Sequence, residues 1–562
     1  MMDVLFFSIW RNKYLLQKIY YSDIDYYIIK NVSHLDKRYS YLVSLNHFNK
    51  PVVYHIKDLD HYHVYSSHQH KHLITHIIVS THFYVNHYHI VQQQTKSPIL
   101  FGLSITTPDD PLILATELPL SIRYFKYTTF SQPLTKEYVP QSLTSLYLDI
   151  SATIDQIPTK IKTLNIDTYD VDDQNRDLKY WKLDNGNLPP SLTKLQFNDR
   201  HKITKFDFNL DEMPPNLFYL SISGEGRFKG NGSGSLKYYK LYNSSRSYQI
   251  PTSVTQLKIK VPSLNLTPLP PNLNHLEYEL VDNDRTRAIK SPEKFPEKLT
   301  TLSIGNCYFK TINKDNCPPG LLYYKNWSYK IQTDTPYIPP SVTKLRLSVS
   351  EKMEELPVLP SSLLELKMFC FDSLKPTKPF QGYFPNTIVK LSFQSSEEIF
   401  VGLIPPSVTD LKLISKHAIH KGTIPNSVTK LHLIHKRMVQ PIVIPNSVTY
   451  LTFEHDEQIY SHIEIPDSVK TIKVKHLSFN NFPFIDYFKT TFKNITRFST
   501  HSILCISEED VYLLLNKLAN ENLLSNLKQM DIYHSNYHII DQKVIKKEDD
   551  HIGSWKFKNK YK

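Results

Sequence analysis

The chain has little cysteine, little glycine and no long apolar run, and each shortage excludes something. The four cysteines, Cys307, Cys317, Cys370 and Cys505, are spread over 562 residues. They are too few and too scattered for a disulfide framework or a zinc module. They read as buried thiols of a reducing compartment. Of thirteen glycines, five fall between 224 and 234. That run lacks the Gly-Lys-Ser/Thr ending of a phosphate loop and reads as a flexible excursion. No stretch reaches the roughly 20 apolar residues of a membrane helix. The opening MMDVLFFSIWRNKYLL stops its apolar run at Arg11, whereas a secretory signal places charge before a longer apolar core. The expectation is a cytoplasmic protein that makes no use of a membrane.

Enzymatic signatures are also missing. No G-x-S-x-G elbow or comparable constellation joins Ser, His and Asp. A non-enzymatic chain without a cofactor is expected. The formal charge of +12 and pI near 9.0 permit an acidic partner.

What is abundant is a phrase. IPPSVTKLRL (338–347), IPPSVTDLKL (404–413), IPNSVTKLHL (424–433) and IPNSVTYLTF (444–453) repeat one pattern, and the last three start 20 residues apart. A fixed short period is the mark of a solenoid. Looser copies begin at 118, 139, 157, 188, 213, 250, 269, 295, 317, 359, 384 and 465, for sixteen units in all. Two intervals, 157 to 188 and 213 to 250, are stretched. In Val428-Thr-Lys-Leu431-His-Leu433 the apolar residues occupy positions 1, 4 and 6. Positions 4 and 6 share one face of a short strand. The proline three residues before position 1 fixes φ and donates no ladder bond, so it sets the corner. Ser and Thr after it are suited to bonding local backbone there. Only about a dozen residues remain for the return path, which predicts extended chain or a 3₁₀ turn rather than a long helix. A continuous asparagine ladder is not expected.

The predicted fold is mostly β: a leucine-rich-repeat-like solenoid over 118–475. A small α+β region or cap precedes it at 1–110, with an amphipathic helix at about 3–21 and strand-like character over 73–85. A helical cap is expected over 476–540, because Ser507-Glu-Glu-Asp510 opens an apolar-rich helical pattern. A Lys-rich disordered tail is expected over 541–562.

The recurring I-P-x-S-V-T-x-L-x-L resembles the FNIP repeat, a leucine-rich-repeat relative of social amoebae and giant viruses. The resemblance runs over about 118–475. It implies a solenoid used for protein contacts and no cofactor; no catalytic residues come with it. Some relatives place an F-box before the repeats. The alternative expectation is therefore a substrate-recognition subunit of a ubiquitin ligase, with a divergent adaptor-binding segment in 1–50. That segment has no Leu-Pro opening, and its first proline is Pro51.

The candidate binding surface is the inner face of the solenoid, where positions 3 and 5 of each unit point away from the core. Eleven of these 32 positions are Lys or Arg, against 66 of 562 in the chain, and three are acidic. The residues expected to meet a protein partner with an acidic surface are Lys344, Arg346, Lys367, Lys390, Lys412, Lys430, His432, Tyr450 and Lys473. Lysine also blunts exposed strands, the plainer explanation. Nucleic acid is not the expected partner, because Tyr219, Tyr323 and Tyr450 are too scattered for a stacking platform. Ten of 25 histidines lie in 55–89. His68, His70 and His72 alternate as they would on one strand face, which makes them weak metal candidates.

Overall fold

The structure is a computed structural model. It describes residues 26–29, 31–95, 100–106, 121–128, 139–150, 157–168, 188–199, 205–232, 234–243, 249–261, 269–280, 288–290, 292–305, 308–310, 312–327, 337–350, 357–371, 382–395, 398–415, 417–435, 442–454, 463–478, 494–504, 529–532, 537–540 and 543–546. Two compact units divide at Leu264/Asn265.

The first unit begins with strands alternating with helices. β1 (Tyr27–Ile29), α1 (Ser33–Lys37), α2 (Tyr39–His47), β2 (Val52–Ile56), α3 (Leu59–Ser67), β3 (His76–Ser80), α4 (Thr81–Asn86), α5 (Tyr88–Thr95) and β4 (Gly102–Thr106) follow in order. The strands pair in parallel, β1 to β2 to β3 to β4. Parallel neighbours need a crossover, and the helices supply it. Asp58 and Ser80 cap α3 and α4 by accepting from the backbone N–H of His61 and Phe83. β4 pairs with β5 (Tyr124–Thr128), so the repeat strands continue the same sheet. After it come β6 (Ser145–Ile150), β7 (Thr163–Thr168), β8 (Lys194–Asp199), β9 (Lys205–Asn209), β10 (Tyr219–Lys229), β11 (Tyr238–Asn243) and β12 (Gln256–Val261). β5 to β8, β10, β11 and β12 run parallel in register. The far half of β10 pairs with β9.

The second unit repeats the pattern with β13 (His275–Leu280), β14 (Ala288–Lys290), β15 (Thr301–Gly305), β16 (Tyr308–Lys310), β17 (Tyr323–Trp327), β18 (Lys344–Ser350), β19 (Glu365–Phe371), β20 (Lys390–Gln394), β21 (Asp410–Ser415), β22 (Lys430–His435), β23 (Ile442–Val443), β24 (Tyr450–Glu454), β25 (Ile463–Glu464) and β26 (Thr471–Ser478). The decapeptide strands form one parallel ladder from β13 to β26. β14 pairs with β16 and β23 with β25 apart from that ladder. All sixteen units carry a strand. Between 118 and 475 the helical element among the described residues is the 3₁₀ turn Leu210–Glu212, in keeping with the short period.

The phrase has a bond-by-bond explanation. In the unit at 424–433, Val428 N–H donates to the Pro425 carbonyl at 3.1 Å and closes the corner. Val428, Leu431 and Leu433 are buried in the core. Thr429 N–H and Lys430 N–H both donate to the Thr409 carbonyl of the preceding rung, each at 3.0 Å. Ser427 Oγ donates to the Val408 carbonyl at 2.8 Å. The expectation that serine bonds local backbone is therefore corrected: its hydroxyl reaches the neighbouring rung. The same bond recurs from Ser142, Ser253, Ser341, Ser362, Ser407, Ser447 and Ser468, and from Thr387, which stands at the serine's place in its unit. A rung cannot bury enough apolar area alone, so inter-rung bonds and stacking hold the ladder together.

Several expectations need correction. The insert after 222 is not only a loop. It holds β11, a rung without proline, in which Ser235 Oγ donates to the Leu217 carbonyl at 3.0 Å. The stretched interval 213 to 250 is thus two ordinary rungs. Residues 73–85 are not one strand: β3 ends at Ser80, whose side chain caps α4. His68, His70 and His72 do not alternate on a strand. They follow α3 through a turn into the 3₁₀ segment Lys71–Leu73. Nor does the pattern stop at 475. β27 (Arg497–Leu504) pairs parallel with β26, and β28 (Gln529–Ile532) parallel with β27. β29 (Tyr537–Ile540) and β30 (Lys543–Lys546) close this edge antiparallel, so the segment read as a tail from 541 contains a strand. The expected helices at 3–21 and after Ser507 lie outside the described residues. Cys317 is buried, which pushes its thiol up to about 12; the other three cysteine side chains lie outside the described residues.

Candidate functional site

Alternation along each strand sends one set of residues to the core and the other to the outward face. In the second unit the register aligns the outward residues into rows that cross the strands. Every residue expected to bind a partner lies on this face.

The first row reads Tyr323, Lys344, Glu365, Lys390, Asp410, Lys430, Tyr450. Its charges alternate. Lys344 Nζ lies 2.8 Å from Glu365 Oε2, and Lys390 Nζ lies 3.9 Å from Asp410 Oδ2. Opposite charges on neighbouring strands attract, so this row is largely self-neutralising.

The second row reads Lys325, Arg346, Lys367, Ser392, Lys412, His432, Thr452, Lys473. From Lys325 to Lys473 it contains no carboxylate; the same register continues through Ser303 to Glu277 and through Ser499 to Asp531. Neighbouring strands are about 4.8 Å apart, and like charges directly opposite one another are unfavourable. Lys367 registers this. Burial, then the charges of Arg346, Lys412 and Lys325, hold its ammonium below the usual lysine range. Lys412 acts across Ser392, whose hydroxyl is buried. Aromatic rings flank the cations. Arg346 Cζ lies 6.0 Å and Lys344 Nζ 5.9 Å from the Tyr323 ring centroid, Lys367 Nζ 5.0 Å from that of Phe369, and Lys473 Nζ 5.7 Å from that of Tyr450. His432 ends the dense part of the row, 3.1 Å from Glu454 Oε1. Burial and Lys412 lower its affinity for a proton, against the pull of Glu454 and Asp410.

A third row reads Ser348, Phe369, Gln394, Ile414, Ile434 and Glu454; it mixes apolar and polar residues, and Ile414 is buried. The decapeptide reading stopped at the second core leucine and missed it. The signal for its apolar members is the residue directly after that leucine, as in Leu413-Ile414 and Leu433-Ile434.

The first unit's outward face is different. Tyr219 and Tyr238 stack at 4.4 Å with planes 8° apart, and Lys194 lies 4.9 Å from the Tyr219 centroid. These ring faces are occupied by each other and by lysine, not open to a ligand.

The histidine-rich segment converges on Asp36. His68 Nε2 is 3.3 Å and His70 Nε2 3.7 Å from its carboxylate. No group of three or more metal-ligating side chains forms among the described residues. Of the segment expected to bind an adaptor, α1 and α2 are described. Leu42 and Leu45 of α2 are fully buried, and Asn46 Nδ2 donates to the Leu73 carbonyl at 3.0 Å. Among the described residues, no helix is long and apolar enough to cross a membrane.

The family model described as FNIP Repeat matches residues 417–456. That stretch of the chain is an FNIP repeat. The matched stretch contains rungs β22 and β24, with the corner bonds given above. No curated protein matches the sequence. A solved structure, "The crystal structure of CroV588 a novel circular LRR protein structure", is 17% identical, with 78% of this chain and 73% of that chain covered and a TM-score of 0.38. The leucine-rich-repeat-like fold of the chain rests here on its own strand register.

Proposed function

We propose that this chain is a non-enzymatic scaffold that recruits another protein through the outward face of its second unit. A leucine-rich-repeat solenoid is generally a protein-interaction scaffold, because a stack of rungs displays side chains at fixed spacing. The observation that carries the partner's chemistry is the second row. Four cations, Lys325, Arg346, Lys367 and Lys412, fall within five successive strands, with a carboxylate-free register between them. An acidic surface laid on this row meets charges of one sign, whereas in the first row the signs alternate. Lys344, Lys390 and Lys430 then act as a rim, and the aromatic rings beside the row act as anchors.

The test compares the full chain with a variant carrying Arg346→Glu, Lys367→Glu and Lys412→Glu. Proteins recovered on the wild type and lost on the variant, with recovery falling as salt rises, support the proposal. Recovery of the same proteins by both chains would discard it. Matching thermal unfolding of the two chains confirms that the variant is folded.

A further inference from the structure

We propose that the second row holds an oxyanion site: a notch at Ser392, between Lys367 and Lys412, that takes the phosphoryl group of a phosphorylated segment in the partner. The inference rests on the scaffold reading and names the chemistry of the partner's anchoring residue.

Register puts Ser392 directly between Lys367 and Lys412 on the two flanking strands, with Arg346 one strand beyond Lys367. The short serine breaks the run of long cations, so the row offers a notch with a lysine on each side. The two lysine backbones stand two strand spacings apart, about 9.6 Å. Their flexible four-carbon stems span that gap, so one anion can meet both ammonium groups. The cations already act on one another here: after burial, Arg346 and then Lys412 hold the Lys367 ammonium below the usual lysine range. Ser392 supplies a second observation. Its Oγ is closed from solvent and has no hydrogen-bond partner, whereas the corner hydroxyls of Ser407 and Ser427 in the next two rungs are bonded. An unpaired buried hydroxyl is costly, and an acceptor brought by a ligand satisfies it. The lysine chains beside it part for that ligand and close on it.

These donors select the anion. A carboxylate brings one charge and two oxygens. A phosphoryl group brings a charge of about −1.5 to −2 and three strong acceptor oxygens, one for each ammonium and one for the hydroxyl. A single-stranded nucleic acid would want an unbroken cationic track and ring faces open for stacking. Here Ser392 interrupts the track, and Tyr323 and Phe369 already face cations.

Three fluorescent peptides, identical Glu-, Gly- and Ala-rich sequences except at the centre, decide the matter by anisotropy with the full chain. One carries phosphoserine there, one unmodified serine, and one an Asp-Glu pair that matches the phosphoryl charge. The phosphoserine peptide is expected to bind at least about tenfold tighter than either of the others. Ser392→Lys fills the notch while adding a cation; it should erase that preference without weakening the Asp-Glu peptide. Ser392→Ala, which removes the hydroxyl alone, should lower the preference severalfold. Lys367→Gln with Lys412→Gln abolishes it, while Lys421→Gln, on a corner outside the rows, leaves it unchanged. Equal binding of the phosphoserine and Asp-Glu peptides, no binding of the phosphoserine peptide, or a preference that survives both Ser392 variants overturns the site. If the triple reversal above still strips partner proteins from the chain in that case, the acidic-partner face stands; if it does not, both readings fall. Inorganic phosphate that binds as tightly as the phosphoserine peptide overturns the protein segment as the source of the phosphoryl group. A single-stranded DNA oligonucleotide that outcompetes the phosphoserine peptide overturns the choice of partner.

Discussion

Ser427 Oγ donates to the carbonyl of Val408, a residue of the preceding rung, at 2.8 Å. The bond ties two strands at their shared corner and satisfies a carbonyl that the corner turns away from the ladder. Ser427→Ala should lower stability by about 1 kcal/mol, because it leaves that acceptor without its donor. Ser427→Thr should cost less, since Thr387 already makes this bond to the Leu363 carbonyl. Urea titration of the three chains checks the order; an alanine variant as stable as the wild type would remove the hydroxyl ladder from the account.

Gly402 and Gly422 sit three residues before the corner prolines Pro405 and Pro425, at φ of +89° and +86°. A Cβ at Gly402 would meet nothing within 4 Å, so only backbone conformation opposes a side chain there. Gly402→Ala should destabilise by about 1–2 kcal/mol, and Gly402→Asn by less, because asparagine tolerates the left-handed region. Thermal melts of both variants test the ranking.

Gly102 faces the buried ring of His76. A Cβ at Gly102 would lie 1.7 Å from His76 Cδ2, and Phe101 and Tyr124 confine the ring edgewise at 4.9 and 5.0 Å. Gly102→Ala should therefore cost about 1–3 kcal/mol through overpacking. Much of that penalty should vanish in a His76→Ala background, which a double-mutant cycle measures.

His76 also sets a pH dependence. Burial lowers its imidazole from the ordinary 6.5 to about 4. The unfolded chain therefore binds the proton first as pH falls. Stability is at its plateau above about pH 6.5 and declines toward pH 4, by on the order of 3 kcal/mol for this group. His55, lowered to about 4 by burial and then by Lys57 and His61, adds in the same direction. His76→Gln should flatten the stability profile between pH 5 and 6.5, regardless of its effect on absolute stability; an unchanged slope would contradict the assignment.

Lys367 stands between like charges in its row. Lys367→Gln should raise stability by about 0.2–1 kcal/mol at low ionic strength, and the gain should fade as salt screens the row. Denaturation at two salt concentrations reads this directly. A loss at low salt would mean that the lysine stem's packing on Phe369 outweighs the repulsion.

The proline-led corner, the core leucines and the outward cations were all legible from one line of text, since each depends on spacing along the chain. β11 was not, because Ser235-Leu236-Lys-Tyr-Tyr239-Lys-Leu241 keeps the hydroxyl and the apolar positions but lacks the proline that marked the others. The histidines misled for a related reason. Alternation suggested a strand, while their backbone follows the end of a helix capped by Asp58.

By itself the sequence determined the rung. A twenty-residue period, with apolar residues at fixed places after a proline, leaves parallel stacking as the way to bury them. Only the tertiary structure decided which residues become neighbours across rungs. It set Lys344 beside Glu365 but Arg346 beside Lys367, separating a row of paired charges from a row of like ones. That distinction depends on register between strands some twenty residues apart, and no local pattern encodes it.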